Sequence, residues 1–138
     1  MKLILPLLLS TLLSHAQTSV LGKWKTVDEE TGEEKSIIEI FERNGKVYGK
    51  IAKIFTEEDP DPLCDKCPHD DPRHKKKIIG MEILTGMEKV DNEYASGNIL
   101  DPQDGKIYRC RIWTEGDGLK VRGYWGPFYR TQTWKKVN

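Results

Sequence analysis

Residues 36–54 read SIIEIFERNGKVYGKIAKI, two β-prone runs separated by Asn44-Gly45. Ser36 to Glu42 and Lys46 to Ile54 are rich in β-branched and aromatic side chains, which suit a pleated, half-buried surface. Asn-Gly tolerates the positive φ that a two-residue hairpin turn demands, so the stretch predicts a tight β-hairpin.

Working outward, the same rhythm recurs. Turn signals fall at Thr31-Gly32, Asp91-Asn92, Asp101-Pro102-Gln103-Asp104-Gly105 and Gly116-Asp117-Gly118. Between them, Lys106 to Thr114 alternates, with Tyr108, Cys110 and Ile112 on one face and Arg109 and Arg111 on the other. Leu119, Val121 and Gly123 alternate in the same way against Lys120, Arg122 and Tyr124, so both runs read as half-buried strands. Further strands are predicted at 22–28, 87–90, 93–100 and 130–136, with room for a short helical turn around Gly80 to Leu84. About eight strands at regular spacing, with no strong helical period, give an all-β chain: a single antiparallel up-and-down barrel rather than a sandwich. The barrel is preferred because closure removes exposed edges and because the two ends look built to meet. Trp24 in Gly22-Lys23-Trp24 and Arg130 in Arg130-Thr131-Gln132-Thr133-Trp134 are expected to stack at the closure, a contact worth about 0.5–2 kcal/mol.

The first sixteen residues hold Lys2, an apolar run from Leu3 to Leu13 broken by Pro6, and Ser14-His15-Ala16. This is the pattern of a secretory signal peptide, residues 1–16. The run is too short to cross a bilayer, which needs about 20 apolar residues, so no stable membrane insertion is expected. Removing sixteen of 138 residues leaves 122, one domain at 17–138. Taking Lys2 from the 22 basic residues leaves 21 against 22 acidic ones, so no overall field draws the protein to nucleic acid. The expected localisation is periplasmic or secreted.

Eight motifs recur together in chain order: Gly22-Lys23-Trp24, Gly49-Lys50-Ile51, Asp61-Pro62-Leu63-Cys64-Asp65-Lys66-Cys67, Ile79-Gly80-Met81, Gly97-Asn98-Ile99-Leu100-Asp101-Pro102, Gly105-Lys106-Ile107-Tyr108, Val121-Arg122-Gly123-Tyr124 and the Arg130 to Trp134 run. In these the chain resembles an uncharacterised family of bacterial exported proteins, a domain of unknown function with lipocalin-like barrels. The resemblance implies fold and export, and no activity. A broader likeness to lipocalins implies ligand binding by analogy of fold alone.

One segment breaks the rhythm. Residues 56–77 form a loop of about twenty residues, acidic first, then Cys64-Asp65-Lys66-Cys67, then basic from Arg73 to Lys77, stiffened by four prolines. Loops of that length in compact domains are usually functional or disordered. The Cys64 and Cys67 spacing fits three chemistries: a disulfide, favoured in an oxidising compartment; a metal site completed by His69 and His74; or a redox dithiol. Cys110, on an apolar strand face, reads as a buried free thiol. The acidic run lacks the ligand spacing and turn glycine of a calcium loop. No serine stands in a nucleophile-elbow context and both mature histidines lie in the loop, so no catalytic set emerges and no cofactor is expected.

The leading functional expectation is a small, partly apolar ligand in the lumen, with Ile38, Ile51, Tyr108 and Val121 chosen from the alternation as lining residues and the long loop beside the mouth. The alternative is a structural or protein-interaction module of the cell envelope, its contact made by the charged loop and an outward Arg109, Arg111, Lys120 and Arg122 face. A third is metal or thiol-redox chemistry in the Cys64 to Cys67 loop. A filled lumen beside an exposed aromatic and basic patch favours the second.

Overall fold

The 36–54 hairpin forms as its sequence demands: β2 (Glu34–Arg43) and β3 (Lys46–Ile54) pair through a turn in which Asn44 and Gly45 take φ of 53° and 78°. A computed structural model describes residues 2–4, 6, 18–55 and 58–138. The leader expected at 1–16 lies almost wholly outside the described residues, as do Thr56 and Glu57 of the long loop. The remaining strands are β1 (Gly22–Val27), β4 (Glu82–Val90), β5 (Glu93–Asp101), β6 (Lys106–Glu115), β7 (Gly118–Trp125) and β8 (Phe128–Lys136). Each pairs antiparallel with its neighbour, and β8 returns to β1, giving a closed eight-stranded barrel.

Two expectations need correcting. β4 begins at Glu82, not at 87, and no helical turn occupies 80–84: Gly80 N donates to Ile51 O at 2.6 Å and Ile51 N to Met81 O at 3.0 Å, leading the chain straight into the sheet. Register shifts against β3 between Val47 and Lys50 break the alternation that would have revealed this strand. The closure contact is also different. Trp24 is paired with Lys136, and Lys136 Nζ lies 4.7 Å from the indole centroid. Arg130 stands six residues up β8, about 20 Å away at the usual rise per residue, and its Nη2 faces Glu29 at 3.7 Å. The ends do meet, but the cation over Trp24 is a lysine.

Trp24 is fully buried and its Nε1 donates to Val20 O at 2.8 Å. Around it pack Ile38, Ile40, Val47, Leu84, Met87, Ile112, Leu119 and Trp134. Gly49 is required here by close approach: a Cβ would lie 3.0 Å from Leu84 Cβ and 3.3 Å from Ile38 Cγ2. Two tryptophans and a set of branched aliphatics thus fill the closed end of the barrel.

Candidate functional site at the barrel mouth

The inward face of β6–β8 can be followed in rows from the closed end to the open one. Leu119 opposes Trp134, and both are buried. Ile112 and Val121 oppose each other with Gln132 beside them. Cys110, Gly123 and Arg130 make the next row, and Trp125 opposes Phe128 at the rim. Exposure climbs along this series from 0% at Leu119 to 47% at Trp125 and 62% at Phe128. The side chains on this face are therefore packed at one end and exposed at the other.

The four lumen candidates divide along that gradient. Ile38, Ile51 and Val121 are buried in the packed part, held against other side chains. Tyr108 lies at the rim, half-buried, with its ring 5.9 Å edge-on from Trp125, which in turn sits 6.3 Å from Phe128. Three aromatic rings thus line the rim, and Tyr108 packs over Gly123, where a Cβ would lie 3.5 Å from Tyr108 Cβ. Arg130 brings a largely exposed guanidinium to the same side of the sheet, and Gln132 an amide. The aromatic rings offer apolar area and the Arg and Gln a polar handle, the mixture typical of small-molecule sites.

The rim is braced from below. Tyr108 Oη donates to Asp104 Oδ2 at 2.6 Å, and this hydrogen bond, with burial, raises the phenol to about 12. Asp104 belongs to the β5–β6 turn, which closes with Gly105 N donating to Asp101 O. Gly105 takes φ of 73°, and a Cβ there would lie 1.7 Å from Lys66 O. The long loop is consequently seated directly on the turn that holds Tyr108.

That loop is folded. Leu63 bridges Lys77, Cys64 N donates to Lys76 O and Lys75 N to Cys64 O, both at 2.8 Å. Cys64 and Cys67 form a disulfide with Cα atoms 5.4 Å apart, and both are buried in the same apolar cluster as the barrel core. Burial screens the sulfurs from the attacking thiolate that exchange chemistry needs. His69 and His74 do come together, ring centroids 4.4 Å apart, with His74 Nδ1 2.7 Å from Cys67 O, but the disulfide occupies the two thiolates that the Cys64, Cys67, His69 and His74 set required. Arg73 clamps the base of the loop, bonding Asp71 through Nε and Nη2 and Glu82 O through Nη1. This pair holds the Asp71 carboxyl below its ordinary pKa. Cys110 is a buried free thiol, pushed up to about 12 by desolvation.

Two grooves lie outside the barrel. One, of about 690 Å³, runs between the loop and β4 past Arg73, Lys76, Ile79 and Thr85. The other, of about 530 Å³, opens at the β5 irregularity, where Ser96 takes φ of 66°, and is lined by Asn98, Arg109, Arg111 and Tyr124.

From the mouth inward along the barrel, the outward face of β6–β8 begins with three cross-strand rows: Arg109, Tyr124 and Tyr129; Arg111, Arg122 and Thr131; Trp113, Lys120 and Thr133; a fourth row, Glu115, Gly118 and Lys135, follows at the closed end. None of the nine residues in the first three rows is acidic. Arg122 lies 4.9 Å from the Trp113 centroid and 4.5 Å from that of Tyr129, while its Nε donates to Thr131 Oγ1. The outward Arg109, Arg111, Lys120 and Arg122 set expected from alternation is thus one continuous surface. The sequence reading missed Lys136, the seat of Lys66 on Gly105, and Phe128; Gly126-Pro127 is the turn signal that would have exposed the β7–β8 tip.

Residues 22–136 match the family model described as an uncharacterized protein conserved in bacteria, DUF2147. No curated protein matches the chain. Among solved structures, a protein of the human pathogen Helicobacter pylori described as belonging to the lipocalin family superposes with a TM-score of 0.74 at 24% identity, covering 88% of this chain and 84% of its own. That likeness shows a shared barrel fold.

Proposed function

The chain belongs to this DUF2147 family of proteins conserved in bacteria, and on that premise we propose that it is an exported barrel binding a small, partly apolar molecule at its mouth. The leader pattern at 1–16 and the buried disulfide support export. The observation that carries the binding site is the exposure gradient: packing at Ile38, Ile51 and Val121 moves the ligand outward, onto Tyr108, Trp125 and Phe128. Arg130 and Gln132 would engage a polar or anionic end of such a molecule.

Native mass spectrometry of protein taken from its own bacterium tests the reading first, through a retained small molecule. Anilinonaphthalene sulfonate, an aromatic anion, serves as probe in solution. Saturable binding lost in W125A and F128A is expected, with Trp emission changing on titration. Binding that survives both substitutions overturns the assignment.

A second reading has its own support. The aromatic and basic rows of the outer face of β6–β8 nearest the mouth favour an envelope interaction module, and the two roles use opposite faces of the same strands.

A further inference from the structure

The outer face of β6–β8 carries more cationic and apolar surface than the barrel needs for itself. Arg109 and Arg122 face no carboxylate among the described residues; Arg109 Nη2 reaches Gly126 O at 3.3 Å and its guanidinium lies 5.8 Å from the Tyr124 centroid. Arg111 alone is neutralised, by Glu93. Arg111 and Arg122 are direct cross-strand partners, and like charges so placed repel. Glu93 offsets the charge of Arg111, and an anion reaching Arg109 and Arg122 would offset the two that remain.

Two further features narrow the anion. The 530 Å³ groove framed by Arg109, Arg111, Asn98 and Tyr124 has the dimensions and donors for a phosphate-bearing headgroup. Beside it, on the same outer face, Tyr129 at the hairpin tip is 59% exposed. An inorganic phosphate gives that exposed ring nothing to cover, whereas a bilayer interface accepts aromatic side chains at headgroup depth. Two acids at the same end are engaged: Asp104 by Tyr108, Glu29 by Arg130.

We propose that this face docks on an anionic phospholipid bilayer, arginines on headgroup phosphates and the Tyr129 side of the β7–β8 tip at the interface. The inference rests on the envelope-interaction reading and names its partner. Docking of this kind is peripheral; among the described residues no helix is long and apolar enough to span a membrane. It would set the barrel mouth beside the lipid surface.

Sedimentation of the purified protein with vesicles of equimolar phosphatidylglycerol and phosphatidylcholine, and with vesicles of phosphatidylcholine alone, tests it. Binding to the anionic vesicles only is expected, weakened at high salt, and about tenfold or more weaker in R109E/R122E. R109Q/R122Q, with circular dichroism as a check on folding, guards against a misfolded charge-reversal variant and is expected to lose binding too. Equal binding to both vesicle types, or binding indifferent to the arginines, overturns the proposal. So does competition by inorganic phosphate at constant ionic strength, which would reveal a soluble-anion site. If vesicles do not bind while crosslinking through Lys120 captures an envelope protein, the bilayer is wrong and the interaction reading stands; if neither occurs, both fall.

Discussion

Replacing Gly105 by Ala separates the two jobs that this residue performs. Its φ of 73° costs an L-residue about 1–2 kcal/mol in the left-handed region. Gly116, with φ of 61° and no atom within 4 Å of a built Cβ, supplies the matched control: G116A carries the backbone strain alone. At Gly105 the new methyl would lie 1.7 Å from Lys66 O, where contacts below 3.0 Å are not tolerated, so the carbonyl must retreat by about 1.3 Å. Lys66 is not free to give, because it sits between the two cysteines of the disulfide and Cys64 is tied to Lys75 and Lys76. Overpacking of that kind adds about 1–3 kcal/mol. Urea denaturation should therefore place G105A below G116A by that increment. Because the loop must lift, the Cys64 to Cys67 bond should also reduce faster in G105A under mild thiol, followed by mass. If G105A and G116A are equally stable and their disulfides equally protected, the loop is not seated on the turn and the bracing of Tyr108 through Asp104 is wrong.

Two shorter tests address the closure and the buried thiol. K136A should lose about 0.5–2 kcal/mol of stability while R130A stays within about 0.5, because only Lys136 lies over Trp24; the reverse ranking in thermal denaturation would reinstate Arg130. Cys110 has its pKa raised by burial from 9.0 to about 12, so its contribution is intact below pH 9 and lost as pH rises toward 12. At pH 10 the unfolded thiolate draws about 1.4 kcal/mol from stability. C110A should lack that part of the alkaline loss seen between about pH 8 and 10 in urea midpoints, and identical slopes would contradict the burial of the thiol.

Strand pairing was legible where local chemistry and tertiary packing agree. Asn44-Gly45 dictates its turn whatever surrounds it, and the alternation in β6 and β7 survives because both strands keep an unbroken register. β4 was half lost because register shifts beside Gly86, with φ of 65°, scramble the period of two on which such reading depends. The closure was read from the correct Trp and the wrong cation, since a sequence orders residues along β8 without saying which of them reaches β1. The packed interior was equally invisible: alternation tells which residues face inward, whereas how deep each one sits depends on barrel stagger.

That stagger explains why exposed aromatic and basic side chains collect at the rim and on the outside. In a narrow eight-stranded barrel, inward positions near the closed end meet side chains from every other strand, and Trp24 and Trp134 alone take up much of that volume. Rows nearer the mouth lose neighbours on one side, so Trp125 and Phe128 remain exposed although their register points them inward. The chain then spends its long insertion on the mouth: a disulfide-closed loop pressed on Gly105 fixes Asp104, and Asp104 fixes the Tyr108 ring. A loop meant to open and close over a lumen would leave its sulfurs and anchoring amides accessible. This one buries both cysteines and bonds its two arms to each other, which makes it a brace that holds the rim in one shape.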